Sequence, residues 1–386
     1  MPDERLRTLV RTIPDPDGAW ILAPGGTARL DTDIDGAAEL SPEQWDLLST
    51  NGLLEDHFSD WYGVTLVMTT ACNLRCWYCF QNTGVDERTG IATRIPSRTM
   101  TTEVIRGSAE FARRHMEPLA ARRVVLTLFG GEPLLAHPRC LEALTVYREL
   151  FDEVDALMVT NAVRLDLTRA EKLHRAGLTQ VQITLDGPRS THDRTRISRA
   201  EPQTFDTIVG NTIDLVRKTG INILLRINVT TENAFQLPEL LEELGTQPEL
   251  TSSRVGLDLA PVRGYPWNAP DAEGQNPVSA LVHGFQRARD MGFGVITPGV
   301  RACIYCAYRD FERGVVVGPD GALYSNWSAA GRADQVIGTL TEGPRPESAG
   351  LWKSCMDFDA DEGAAAHGLS DSDDYIRAVL RMQHAD

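Results

Sequence analysis

Seven cysteines stand in this 386-residue chain, and three of them crowd one loop. The segment Thr70-Ala71-Cys72-Asn73-Leu74-Arg75-Cys76-Trp77-Tyr78-Cys79-Phe80 spaces Cys72, Cys76 and Cys79 by three and then two intervening residues. The others are Cys140, Cys303, Cys306 and Cys355. An odd, clustered set in a long chain fits a disulfide framework poorly and favours metal or iron–sulfur ligation. Three thiolates satisfy three irons of a [4Fe–4S] cluster and leave the fourth iron open. An open iron can take a cofactor or substrate, as an open zinc position does. A zinc knuckle or unligated thiols are the plainer alternatives for the same residues.

A loop bearing such chemistry needs a rigid strand before it. From about residue 63 the pattern alternates strands and amphipathic helices. Strand runs fall at 64–69, 124–129, 156–160, 180–184, 223–229 and 255–259, with helical stretches at 101–115, 141–151, 168–176 and 205–219. Six βα units in series predict an α/β fold, a partial (β/α)6 TIM-type barrel, since a full barrel needs eight. The cysteine loop then lies at a strand's C-terminal edge, where barrel enzymes build their sites. Residues 1–62 form a small N-terminal module. Its hairpin is signalled by Ala19–Leu22, Gly25-Gly26 and Thr27–Leu30, and its helix by the Ser41, Pro42 and Gln44 capping pattern, ended at Asn51-Gly52. The barrel takes 63–260. Residues 261–300 hold a loop and a linking helix at 278–291. Residues 301–386 hold the last three cysteines, a hairpin around Pro319-Asp320-Gly321 and a C-terminal helix with Ile376, Val379 and Leu380 on one face.

These residues resemble the radical S-adenosylmethionine (SAM) superfamily, whose loop is Cys-x3-Cys-x2-Cys with an aromatic before the last cysteine; Tyr78 fills that place. The resemblance implies that the open iron takes the amino and carboxylate groups of SAM. One electron then cleaves SAM to methionine and a 5′-deoxyadenosyl radical, which abstracts a substrate hydrogen. Phe129-Gly130-Gly131-Glu132-Pro133 is similar to the family's GGEP turn for the SAM amino group; glycines let backbone carbonyls approach an ammonium, and Glu132 adds charge. Thr184-Leu185-Asp186-Gly187-Pro188, with His192, Asp193 and Arg196 behind it, resembles a segment of the sulfatase-maturase and peptide-modifying subfamily. By that likeness Thr184 and Asp186 lie near the SAM ribose and the substrate. Arg226-Ile227-Asn228-Val229 resembles an R-x-N-V strand whose arginine reaches the SAM carboxylate, for which a planar guanidinium suits. Thr160-Asn161-Ala162 matches a T-N-G turn, with Ala162 in place of glycine.

The C-terminal region resembles SPASM or its shorter form, Twitch, which bind auxiliary iron–sulfur clusters. Cys306, Gly321 and Ile337-Gly338-Thr339-Leu340 match that pattern, but Asn326 stands where a cysteine is expected five residues after Gly321. A reduced, Twitch-like domain follows, in which Cys303, Cys306 and Cys355 hold a second cluster. Alternatively they remain thiols, with Cys355 as a catalytic hydrogen-atom donor. Cys140, alone in a helical stretch, reads as an inert buried side chain.

The formal net charge of −16 argues against nucleic acid as partner, because phosphate binding needs clustered Lys and Arg. No apolar run reaches the roughly 18–20 residues of a membrane span, and Met1-Pro2-Asp3-Glu4-Arg5 opens no signal peptide. A cytoplasmic enzyme is expected, with an electron donor such as flavodoxin or ferredoxin. The resemblance points first to modification of a ribosomally synthesised peptide by cross-link, thioether or epimerisation, with residues 1–62 docking a leader or merely capping the barrel. A dehydrogenase or epimerase of a sugar, aminoglycoside or nucleoside is the second reading, and a non-catalytic iron–sulfur protein the third. The loop 260–277, with Tyr265, Trp267 and Asn268, is expected to line the pocket, and the 260–300 loop and the C-terminal domain to act as a lid.

Overall fold

Nine consecutive buried residues make the central strand, because both faces of a parallel sheet are covered and no polar alternation survives there. The structure, a computed structural model, describes residues 10–23, 25–30, 40–54, 60–85, 92–198, 203–262, 274–298, 313–351 and 365–385. Three strands open the chain: β1 (Arg11–Asp15), β2 (Gly18–Ala23) and β3 (Gly26–Leu30). The buried strand just described follows as β4 (Trp61–Thr69), then the short pair β5 (Asn82–Val85) and β6 (Ala92–Arg94). The barrel continues through β7 (Arg123–Gly130), β8 (Glu153–Thr160), β9 (Leu178–Leu185), β10 (Asn222–Val229), β11 (Val255–Pro261) and β12 (Gly294–Val295). Four short strands end the series: β13 (Gly314–Val317), β14 (Ala322–Tyr324), β15 (Gly338–Thr339) and β16 (Gly343–Pro344).

Strands β4, β7, β8, β9, β10 and β11 lie side by side in parallel and in sequence order, each inside or around a strand run read from sequence. Helices Thr102–Met116, His137–Leu150, Leu167–Ala176 and Phe205–Lys218 form the outer layer. Their buried faces, such as Ile105, Phe111, Leu144, Leu173 and Leu215, join one apolar core with the strands. Beyond the six units, β12 adds in parallel at one edge and β13 pairs in parallel with β4 at the other. That second addition was not legible. Two glycines permit it: a Cβ on Gly314 would stand 2.6 Å from the Gly63 carbonyl oxygen. The hairpin around Pro319-Asp320-Gly321 forms as read, pairing Val316 with Tyr324.

The N-terminal module is a three-stranded antiparallel sheet rather than a hairpin, because β1 also pairs with β2. Pro14 and the run Pro14-Asp15-Pro16-Asp17-Gly18 disguise β1 as a turn, yet proline is tolerated on an edge strand. One face of this sheet packs Ile21 and Leu30 against Trp45 and Leu48 of the helix Pro42–Thr50. That helix carries the expected capping box of Ser41 and Gln44. The other face packs Ile13, Trp20 and Leu22 against Ile376 and Leu380 of the C-terminal helix Ala365–Ala385. Ion pairs Arg11–Asp373 and Arg381–Asp15 flank that contact. First and last segments of the described chain thus brace each other.

Candidate active site

The three loop cysteines follow β4 at its C-terminal end. All are free thiols, Cys76 buried and Cys72 and Cys79 half-buried. Burial pushes the Cys76 thiol up to about 12 and raises the Cys72 thiol, aided there by Glu132. Among the described residues no three His, Cys, Asp or Glu side chains converge on a single-ion site. A cubane sets a different demand: each thiolate binds its own iron, so the sulfurs stand further apart than ligands of one ion.

The surroundings suit such a cluster. Three buried donors beside the thiols lack a hydrogen-bond partner: Arg94 Nε, Gln81 Nε2 and Arg196 Nε. Anionic sulfur is an acceptor that donors of this kind take up. Arg94 Nη1 already lies 3.7 Å from Cys79 Sγ, and the Leu74 amide 3.5 Å from Cys72 Sγ. Asn161 Nδ2 stands 4.0 Å from Cys72 Sγ and donates to Asn73 Oδ1 at 2.8 Å. The residues present therefore fit the group.

Gly130 and Gly131 end β7 against the start of the cysteine loop. The Gly131 amide donates to the Thr69 carbonyl and the Glu132 amide to the Ala71 carbonyl, each at 2.8 Å. A Cβ on Gly131 would meet the Ala71 oxygen at 2.3 Å, so only glycine allows this approach. Pro133 opens the short 3-10 turn Pro133–Ala136 that follows. Glu132 is fully buried and turned inward. Its Oε1 accepts from the Leu134 amide at 3.0 Å and from Thr160 Oγ1 at 2.7 Å, and its Oε2 accepts from the Asn161 amide at 2.8 Å. Its charge thus ties the β7 and β8 turns together. Beneath them Cys140 Sγ sits 3.2 Å from the Pro133 carbonyl oxygen, inert and inaccessible.

Ala162 follows at φ +58° with no solvent exposure. A left-handed alanine costs about 1–2 kcal/mol relative to glycine. Ala162→Gly is expected to raise unfolding stability by about 1 kcal/mol after the glycine's added chain entropy is set against that strain. Urea denaturation checks this, with an unchanged or lower midpoint as the contrary result.

Tyr78 is the hub of a polar network. Its hydroxyl donates to Asp186 Oδ2 at 2.5 Å and accepts from Arg196 Nη1 at 2.8 Å and Asn228 Nδ2 at 3.3 Å. Arg196 Nη1 stands 3.6 Å from Asp186 Oδ1, both side chains almost wholly buried. Burial pushes the Asp186 carboxyl up, and Arg196 opposes that rise. Burial alone would weaken the guanidinium's charge, but Tyr78, Cys76 and Asp186 raise its pKa well above the usual value. Asn233, which sequence reasoning missed, donates to the Asp186 carbonyl at 2.7 Å and the Asn228 carbonyl at 3.0 Å. Its only sequence signal is the Thr230-x-x-Asn233 turn, whose amides and side chains bond reciprocally.

His192 backs this network. Its Nδ1 accepts the Asp186 amide at 3.4 Å and its Nε2 faces Thr204 Oγ1 at 3.2 Å, which assigns the proton to Nε2. Desolvation pushes its pKa down to about 2. The unfolded chain binds this proton below about pH 6.5 and the native one does not, so stability falls as pH drops below that value. The loss is on the order of 1 kcal/mol per pH unit. His192→Asn, which keeps an acceptor, is expected to flatten the pH dependence of Tm between pH 6.5 and 4.5; an unchanged slope would count against the assignment.

Thr184 is buried at the end of β9 and sits in register with Arg226 on β10. Arg226 bonds Asp258 Oδ2 and Asn228 Oδ1, each at 3.1 Å, so Asp258 on β11 already anchors its guanidinium. A cleft opens among Trp77, Tyr78, Asp186, Arg194 and Asn228. Phe80 stacks on Phe129 and Trp327 packs at a tilt on Phe129, joining the cysteine loop to the C-terminal segment. Asn326, at the position lacking the expected cysteine, is buried and caps its own turn by accepting the Ala329 amide at 3.0 Å. Cys303, Cys306 and Cys355 lie outside the described residues, as do Tyr265, Trp267 and Asn268.

Residues 66–244 match the model of the radical SAM superfamily. Fe-coproporphyrin III synthase of Methanosarcina barkeri (strain Fusaro / DSM 804) is 29% identical over 182 residues, 46% of this chain and 40% of that protein. Sporulation killing factor maturation protein SkfB of Bacillus subtilis (strain 168) is 28% identical over 214 residues, 53% of this chain and 47% of that one. The chain thus spans less than half the length of these curated relatives. Native anSMEcpe with bound AdoMet shares the fold at TM-score 0.59 and 13% identity, covering 83% of this chain and 98% of that one. Among the described residues no helix is long and apolar enough to cross a membrane.

Proposed function

We propose that this chain, which belongs to the radical SAM superfamily through its domain at residues 66–244, cleaves SAM reductively and removes a hydrogen atom from a ribosomally made peptide. The observation that supports this chemistry is the pair of backbone bonds from Gly131 and Glu132 to the cysteine loop, which would set an ammonium site beside an iron site. Bound there, the [4Fe–4S] cluster and SAM supply one-electron cleavage and a carbon-centred radical.

The protein's own residues hold, orient and shield. Cys72, Cys76 and Cys79 give up their protons on ligation, as buried thiols must. Tyr78, Asp186 and Arg196 lock the loop's last turn to β9, so the sulfurs keep their places. Asn161 follows β8 and Thr184 stands near the end of β9, its neighbour in the sheet. Cys303, Cys306 and Cys355 would hold an auxiliary cluster. A low-potential donor of the flavodoxin or ferredoxin class, in a reducing cytosol, suits the free thiols.

The peptide reading draws support from the likeness to SkfB, a maturation protein for a killing factor. Among the described residues, β3 is also an edge strand with an exposed start, which suits an extended chain. The second reading, a small-molecule substrate, draws support from the likeness to Fe-coproporphyrin III synthase. Truncating residues 1–62 would not separate the two cleanly, because Ile376 and Leu380 would lose their cover.

The test is anaerobic turnover of the reconstituted protein with SAM and dithionite, scored by 5′-deoxyadenosine. Peptides encoded beside its gene are then added and weighed for loss of a hydrogen pair or gain of a solvent deuteron. A changed peptide supports the first reading. Cleavage with every peptide intact moves the assignment to the second, and no cleavage at all overturns both.

A further inference from the structure

An arginine outside every motif reaches the cysteine loop from the short β5–β6 hairpin that follows it. The hairpin's root is fastened to the loop. The Asn82 amide donates to the Cys79 carbonyl at 2.9 Å, and Asn82 Nδ2 donates to the Cys76 and Trp77 carbonyls at 3.1 and 3.0 Å. The Ile95 amide donates to the Gln81 carbonyl at 3.3 Å. Thr70 Oγ1 donates to the Pro96 carbonyl at 2.6 Å and accepts from the Arg98 amide at 2.8 Å, so the chain returning from the hairpin runs along the loop's first residues.

Arg94 sits in register with Asn82 across this hairpin. Its Nη1 donates to Cys79 Sγ at 3.7 Å, within reach of an N–H···S bond. Its Nη2 donates to Gln81 Oε1 at 2.5 Å. Gln81 is itself buried, so the brace is rigid. The guanidinium also acts on Cys72, countering the effect of burial there. Its Nε is buried and has no partner, as has Gln81 Nε2. A half-buried cation whose Nε is buried and unpaired, beside the cysteine sulfurs and held by a buried amide, favours an anion lying against it.

We propose that Arg94, braced by Gln81, compensates the charge of the cluster on Cys72, Cys76 and Cys79 and raises its reduction potential through the bond to Cys79. The inference rests on the radical SAM reading above. The step concerned is the gain of one electron by the oxidised cluster from an external low-potential donor, with no bond made or broken. The reduced cluster is more negative by one charge, so a nearby cation and an N–H···S bond both favour it. Arg94 is a positioning residue in this account: it touches a ligand sulfur, not substrate.

The test compares the full-length wild type with Arg94→Lys and Arg94→Met after anaerobic reconstitution. Iron and sulfide are counted, and the potential is read by dithionite titration on the electron-spin signal that added SAM perturbs. At a fixed poise Arg94→Met is expected to hold at least tenfold less reduced cluster, a downward shift of about 59 mV for one electron. Arg94→Lys is expected to recover more than half of that shift. Cluster lost from the Met variant but kept by the Lys variant also supports the proposal. An unchanged potential in a cluster-loaded Met variant overturns it. Cluster lost from both variants, with circular dichroism unchanged, assigns Arg94 to loop folding and overturns it equally. A wild type without iron would instead sink the functional reading beneath it.

Discussion

Alanine at Cys72, Cys76 and Cys79 together is expected to drop SAM cleavage to the uncatalysed background, a loss of at least about 10⁶-fold. The fold should survive. Each change removes one sulfur from a loop, at about 1 kcal/mol of lost burial per residue, while the backbone bonds between Thr69, Ala71 and the Gly131–Glu132 turn remain. Thermal unfolding of the triple variant should therefore stay cooperative, within a few degrees of the wild-type protein stripped of iron. Iron content makes the experiment more informative than activity alone. A variant that keeps roughly four irons carries a second cluster, and Cys303, Cys306 and Cys355 are its ligands. A variant that loses all iron leaves those three as thiols and favours Cys355 as a hydrogen-atom donor. A variant that still yields 5′-deoxyadenosine sinks the assignment of the loop.

The parts of the molecule that were legible are those where local pattern and tertiary demand agree. Six apolar runs separated by amphipathic helices have one economical packing, and the structure adopts it in sequence order. The loop cysteines, the glycine turn after β7 and Asp186 after β9 were legible because barrel strands deliver their C-terminal residues to one rim. What escaped notice depends on contacts far apart in sequence. β1 was hidden by two prolines that an edge strand tolerates. The parallel pairing of β13 with β4 joins segments some 250 residues apart, and no periodicity encodes it. Glu132 also bonds the β8 turn and Arg226 also bonds Asp258, long-range contacts that no local pattern encodes. Arg94 was invisible for the same reason, since its hairpin carries no motif and only its root on Cys79 gives the side chain a target.

Arg196→Met is expected to be the most destabilising single change at the site, by about 3–5 kcal/mol. The reason is Asp186, which is buried at 1% exposure beside it. Tyr78 still donates to Oδ2, but Oδ1 has no hydrogen-bond partner and rests on the guanidinium 3.6 Å away. With the cation gone, the Asp186 carboxyl, already raised by burial, takes up a proton in the folded protein. The unfolded chain releases that proton above about pH 3.9, so the native state then binds more protons and stability falls as pH rises. The variant's deficit should therefore shrink on acidification, opposite in sign to the His192 effect. Removing both charges, in Arg196→Met with Asp186→Asn, keeps an acceptor for Tyr78 and is expected to restore most of the stability at pH 7. SAM cleavage should not return with it. Arg196 also faces Cys76, and a loop whose last turn has lost its charged clamp shifts enough to cost about 100-fold or more in rate. A double variant that regains stability and activity together would show Arg196 to be scaffolding alone; one that regains stability but stays inactive places the buried ion pair in the working geometry of the cysteine loop.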